Sequence, residues 1–226
     1  MTAKPVRAVL FDLDGTLLDT APDLVAALNH LRNLENLAPA SVDDYAQFVS
    51  RGALGLIREG LPAGGPEQEA AWKAEFLAYY AEHLFEATRL YPGVVEVLSC
   101  LEASGIAWGL VTNKPEFLTL PIIRQLGWQQ RAAFVVCGDT LAVNKPDPAP
   151  VLLACELAGV APDEAIMIGD DPRDLDAGEA AGAVAALAAY GYGAAEVLDS
   201  GRSLTHVLER IEDLLPILAN ASAGTA

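Results

Sequence analysis

The chain has 226 residues, 52% of them hydrophobic, and a formal net charge of −17 at pH 7, which suits one large domain or one domain carrying a sizeable insertion. That acidity excludes a nucleic-acid partner, since a polyanion requires clustered Lys and Arg, and it disfavours anionic membrane surfaces. No apolar run approaches the roughly 20 residues of a membrane helix, and Cys100, Cys137 and Cys155, widely spaced with no CxxC pair, read as reduced, buried cytoplasmic thiols.

The first seven residues lead straight into an apolar run, which leaves no room for a signal peptide and predicts a cytoplasmic location. That run, 8–11, reads as a fully buried strand whose end breaks into Asp12-Leu13-Asp14-Gly15-Thr16. Ligands of open α/β sheets bind just outside such carboxyl ends. Two carboxylates there, with no Lys or Arg between them, call for a divalent cation and point to chemistry on phosphate. From 19 to 90 no strand is evident. Helical patterns cover 23–34, 42–49, 54–60 and 67–85, broken by Ser50-Arg51-Gly52-Ala53 and by a Pro/Gly loop at 62–66. This block reads as a helical cap (19–90) inserted into a core made of 1–18 and 91–226.

Beyond it, strands at 108–111, 133–137, 165–168 and 184–188 alternate with helices at 94–103, 117–126, 148–158, 174–181 and 204–215. Alternation of this kind predicts an α/β fold with a parallel sheet covered on both faces. The Ala/Gly/Ser tail from Ala219 is expected to fray. His30, His83 and His206 sit in amphipathic stretches without metal-ligand spacing and read as surface or packing residues.

Four segments at separate strand ends carry the chemistry: Asp12 and Asp14; Thr112-Asn113-Lys114-Pro115; Asn144-Lys145-Pro146-Asp147; and Gly169-Asp170-Asp171-Pro172-Arg173-Asp174. In this order they resemble the haloacid dehalogenase (HAD) superfamily, in particular its phosphatases with a helical cap in this position. The resemblance spans essentially the whole chain and implies a Rossmann-like core. It makes Asp12 the nucleophile that attacks phosphorus, and Asp14 the general acid for the leaving alkoxide and then the base for water. Mg²⁺ is expected on the Asp12 carboxylate, the Asp14 backbone carbonyl and Asp170, with Asp174 in the shell around it. Thr112 and Asn113 would donate to phosphate oxygens, and Lys145 would stabilise the transferring charge. Asp171 and Arg173 read equally well as exposed first-turn residues of a helix.

Asp14 weighs against a dehalogenase, a branch that lacks the second aspartate. Asp19-Thr20-Ala21-Pro22-Asp23-Leu24, Thr112–Pro115 and Tyr190-Gly191-Tyr192-Gly193 resemble the phosphoglycolate phosphatase branch. Closely similar bacterial sequences with the same Gly-Asp-Asp-x-Arg-Asp motif include N-acetylmuramic acid 6-phosphate phosphatases. Both substrates carry a carboxylate, which Arg51 in the cap could pair with and Lys114 could reach. The expected partner is therefore a small phosphorylated metabolite, handled by a monomer or homodimer. Two other readings stay open: a phosphomutase on the same core, and a non-catalytic binding protein. Metal-dependent phosphate release separates enzyme from binder, and isomer formation identifies a mutase.

Overall fold

The computed structural model describes residues 4–223. The chain opens with β1 (Ala8–Phe11) and the two-residue β2 (Leu18–Asp19), then enters a helical insertion: α1 (Ala21–Leu34), α2 (Val42–Tyr45), a 3₁₀ turn (Ala46–Arg51), α3 (Gly52–Gly60) and α4 (Pro66–Glu82). It returns through β3 (Arg89–Leu90) and continues as α5 (Val94–Ala103), β4 (Ala107–Val111), α6 (Glu116–Gln125), β5 (Val135–Val136) and α7 (Ala149–Ala158). The last elements are β6 (Ala165–Gly169), α8 (Pro172–Ala181), β7 (Val184–Ala188), α9 (Ala194–Asp199), β8 (His206–Leu208) and α10 (Leu214–Ala223).

Six strands form one parallel sheet in the order β5-β4-β1-β6-β7-β8. β1 is central and fully buried because Val9 and Phe11 face one helical layer while Ala8 and Leu10 face the other. The first layer holds α5, α6 and α10, with Trp108 set edge-on to Trp128; the second holds α7 and α8. Phe11 is level with Leu110 and with Ile168, so Asp12, Thr112 and Asp170 emerge side by side at the carboxyl edge. The strand order reverses around β1, which opens a crevice where α/β sheets bind ligands. The α/β Rossmann-like core is thus present as the sequence implies.

The insertion packs around Leu28, Leu31, Leu56, Ile57, Phe76 and Tyr80, joined by Leu118 of α6. Its entry and exit are zipped together by β2 and β3, paired antiparallel; at two residues each they are too short to register as hydrophobic alternation. Buried Asp23 completes the junction by accepting hydrogen bonds from the N–H groups of Ala87 (2.7 Å) and Thr88 (3.0 Å) and from the Thr88 hydroxyl (2.6 Å).

Three expectations need correction. The helix expected over 204–215 is β8, a 3₁₀ turn (Ile211–Asp213) and the start of α10. Leu208, Ile211 and Leu214 are buried at a three-residue spacing that mimics one helix face, but 206–208 instead pair with β7. The strand expected over 133–137 keeps ladder pairing only at Val135 and Val136. α9 went unread, and α10 carries the helix past Ala219; the end of the expected frayed tail, 224–226, lies outside the described residues. Because Asp23 satisfies three donors at the junction, Asp23→Ala should cost about 2–4 kcal/mol of unfolding free energy in urea titration. A change within about 0.5 kcal/mol would show that water replaces the carboxylate at no cost.

Candidate active site

The segments that hold Asp12, Thr112 and Asp170 begin where β1, β4 and β6 end, and Lys145 lies in the long connection between β5 and α7. The loop after β1 turns sharply at Gly15, whose φ is +86°. A Cβ there would lie 2.4 Å from Asp170 Oδ2, so glycine is what lets this loop lie over the β6 carboxylate. The Thr16 hydroxyl then donates to Asp170 Oδ1 at 3.1 Å, and the Asp12 N–H donates to the Ile168 carbonyl at 2.9 Å.

Two ammonium groups pair with three of the carboxylates. Buried Lys145 extends Nζ to Asp12 Oδ1 (2.8 Å), Asp174 Oδ1 (2.6 Å) and the Val111 carbonyl (2.5 Å). Burial opposes its charge, but Asp12 and Asp174 outweigh burial and hold it above the ordinary lysine range. Asn113 positions that lysine: its Nδ2 donates to the Lys145 carbonyl (3.0 Å) and its Oδ1 accepts the Lys145 N–H (3.1 Å). Lys114 is equally buried and spans Asp14 Oδ1 (3.0 Å), Asp14 Oδ2 (3.1 Å) and the Tyr80 hydroxyl (2.9 Å), with Nζ 4.6 Å from the Tyr80 ring centroid. Here too burial is outweighed, by Asp14 and Tyr80, and the ammonium is stabilised. Burial pushes the Tyr80 hydroxyl up to about 12. Thr112 Oγ1 accepts the Lys114 N–H at 3.2 Å, which leaves the hydroxyl proton available to a ligand.

Asp170 is the exception. It is fully buried and accepts from Thr16, from the Gly193 N–H (2.9 Å) and from Ser50 Oγ (3.3 Å), yet no ammonium or guanidinium pairs with it among the described residues. Burial, then the neighbouring charges of Asp174 and Asp12, push its carboxyl up to about 8. Burial likewise raises the Asp174 carboxyl against the pull of Lys145. Asp12, Asp170 and Asp174 offer oxygens all within 4.8 Å of one another. An all-oxygen set with one uncompensated carboxylate fits a hard divalent cation. Asp174 already serves Lys145 and the Asp171 N–H, so Asp12 and Asp170 have more capacity to ligate. The Asp14 side chain stands apart with Lys114, which leaves its backbone carbonyl as the oxygen it could contribute.

A cavity of about 520 Å³ lies between the insertion and this edge, lined by Asp12, Asp14, Thr112, Asn113, Lys114 and Lys145 from the core. Asp170 and Asp174 lie behind it. Arg51 lines it from the insertion, but its guanidinium pairs with Glu59 (3.1 Å) and lies 5.1 Å from the Phe48 ring centroid. Arg173 pairs with Asp171 at 2.6 Å and donates to the Ser50 carbonyl, so these two tie the acidic motif to the insertion. Sequence reasoning missed Lys73 of α4, which also lines the cavity, and Tyr80; helical periodicity alone does not say which face of α4 meets the core. His30 pairs with Glu75 and stacks on Tyr79; burial raises the thiols of Cys137 and Cys155, whereas Cys100, expected to be buried, is exposed on α5. None of these lines the cavity.

The family model for haloacid dehalogenase-like hydrolases matches residues 6–182. An N-acetylmuramic acid 6-phosphate phosphatase of Pseudomonas aeruginosa is 41% identical over 222 residues, covering 93% of this chain and 98% of the relative. A phosphoglycolate phosphatase of Xanthomonas campestris pv. campestris is 42% identical over 186 residues, covering 82% and 84% respectively. The crystal structure of a predicted phosphoglycolate phosphatase from Haemophilus somnus 129pt superposes with a TM-score of 0.83 at 29% identity, covering 94% of this chain and 97% of that one. With the family model spanning most of the sequence and relatives this similar along most of their length, the chain belongs to the haloacid dehalogenase-like hydrolases.

Proposed function

We propose that this hydrolase is a cytoplasmic, Mg²⁺-dependent phosphate monoester phosphatase that forms an aspartyl phosphate on Asp12. Its substrate is a small phosphorylated metabolite of the kind named for its relatives, 2-phosphoglycolate or N-acetylmuramic acid 6-phosphate. The observation that carries this reading is the position of Asp12. It belongs to the carboxylate cluster, touches Lys145 and lines the cavity, whereas Asp170 and Asp174 do not line it.

Mg²⁺, held by Asp12, the Asp14 carbonyl and Asp170, would supply charge neutralisation and orient the phosphate. The Asp12 carboxylate attacks phosphorus while the ester P–O bond breaks, and Asp14 delivers a proton to the departing alkoxide. Asp14 then takes a proton from the water that attacks the aspartyl phosphate, which releases inorganic phosphate and restores Asp12. Thr112 donates its hydroxyl to a phosphate oxygen, and the second Nδ2 hydrogen of Asn113 is the donor that residue has left. All three ammonium hydrogens of Lys145 are engaged by Asp12, Asp174 and Val111, so Lys145 acts through its charge. The same count for Lys114 makes it the residue that orients Asp14 rather than a substrate ligand. Residues 19–90 act as the cap that excludes water from a core of 1–18 and 91–226. Asp174 supports the centre by holding Lys145.

Asp12→Asn should retain the wild-type melting temperature and lose about 10³-fold or more of kcat with either substrate. Metal-dependent turnover at the wild-type rate would contradict the nucleophile assignment. Asp170→Asn tests the cation. Asn fits the position because the Thr16 hydroxyl can rotate to accept. A carboxyl raised from 3.8 to about 8 binds its proton more tightly in the folded than in the unfolded state. The metal-free native protein therefore loses stability as pH rises between these values. In chelator the variant should become progressively more stable than wild type from pH 4 to 8, and Mg²⁺ should raise the melting temperature of wild type alone. An equal Mg²⁺ shift in both proteins would contradict ligation by Asp170.

A further inference from the structure

We propose that Lys73 binds a carboxylate at the end of the substrate remote from its phosphate, and so selects phosphorylated sugar acids over short phosphorylated acids such as 2-phosphoglycolate. The proposal rests on the phosphatase reading above and narrows its substrate.

Five cationic side chains line the cavity. Lys145 pairs with Asp12 and Asp174, Lys114 with Asp14, Arg173 with Asp171 and Arg51 with Glu59. Among the described residues Lys73 alone of the five has neither an ion pair nor a hydrogen bond. The chain carries 31 Asp and Glu against 14 Lys and Arg, so an exposed lysine on the cavity wall stands out when the acid one turn before it, Glu69, is taken by Arg58 (2.7 Å).

The position of Lys73 sets the length of ligand it can read. Lys73, Leu77 and Tyr80 recur at helical spacing on α4 and all face the cavity. Tyr80 touches Lys114 and marks the reacting end. Seven residues of α-helix place Lys73 about 10 Å farther along the axis. The wall between them is apolar, with Phe76, Leu77 and Leu118, and the cavity's 520 Å³ falls within the range that encloses a whole small ligand. In 2-phosphoglycolate one methylene and one oxygen separate the carboxyl carbon from phosphorus, too short a span for both sites. A sugar ring that holds phosphate at one edge and a carboxylate at the other covers the distance.

The test is kcat/KM with Mg²⁺ for N-acetylmuramic acid 6-phosphate, for N-acetylglucosamine 6-phosphate (the same sugar without the carboxylate) and for 2-phosphoglycolate. It uses wild type, Lys73→Gln and Lys73→Arg, with p-nitrophenyl phosphate as a reactivity control. The sugar acid should be the best substrate of wild type, and its advantage over the neutral sugar should fall about tenfold in Lys73→Gln, through KM. Lys73→Arg should keep the advantage, and salt should erode it. An advantage intact in Lys73→Gln, no advantage in wild type, or a wild-type preference for 2-phosphoglycolate would overturn the proposal. Absence of metal-dependent release from all four esters would overturn the phosphatase reading itself.

Discussion

The structure depends on how it contains negative charge at one sheet edge. Asp12, Asp14, Asp170, Asp171 and Asp174 converge there, and Lys145, Lys114 and Arg173 are the cations paired with them. Fully ionised, the group carries two negative charges more than positive, before a phosphate dianion arrives. Repulsion of this size in a buried place has two remedies, protonation or a divalent cation. The raised Asp170 carboxyl reflects the first; the oxygen cluster suits the second. A cation that satisfies Asp170 would also let Asp12 keep its charge while facing another anion, the condition for a carboxylate to attack phosphate.

The insertion is wired to this edge. Tyr80 bonds the lysine that holds Asp14, Ser50 donates to Asp170, and Arg173 bonds the Ser50 carbonyl. At the junction the Tyr192 hydroxyl donates to Asp19 and accepts the Ala21 N–H. The insertion therefore contacts Asp14, through Tyr80 and Lys114, and Asp170, through Ser50. Asp12, Asp14, Thr112, Asn113, Lys114 and Lys145 line the cavity from the core, while the insertion contributes an apolar wall and Lys73, unpaired among the described residues.

What the sequence revealed follows the physics of each signal. β1 was legible because four apolar residues end in two acids, a pattern with few structural alternatives. The four candidate segments stood out because acids, lysines and small polar residues follow apolar runs in the order found in the haloacid dehalogenase superfamily. Residues 204–215 misled because three buried leucine and isoleucine positions imitate a helix, and only pairing with β7 decides otherwise. Asn113 looked like a phosphate donor, yet most of its hydrogen-bonding capacity goes to the Lys145 backbone, a contact between segments 32 residues apart. Asp23, an ordinary first-turn acid by sequence, proved to hold the return strand of the insertion. Lys73 was invisible for a similar reason, since an isolated lysine in a polar helix gains meaning only from the charges around it.

The central claim is that Asp12 carries the phosphoryl group. The most direct measurement is rapid acid quench during turnover, followed by borohydride reduction and peptide mass spectrometry, which converts an acyl phosphate on aspartate to homoserine. The account predicts homoserine at position 12, dependent on substrate and on Mg²⁺. Aspartate left unmodified at position 12 under quench conditions that preserve acyl phosphates, or homoserine at another aspartate, would contradict it.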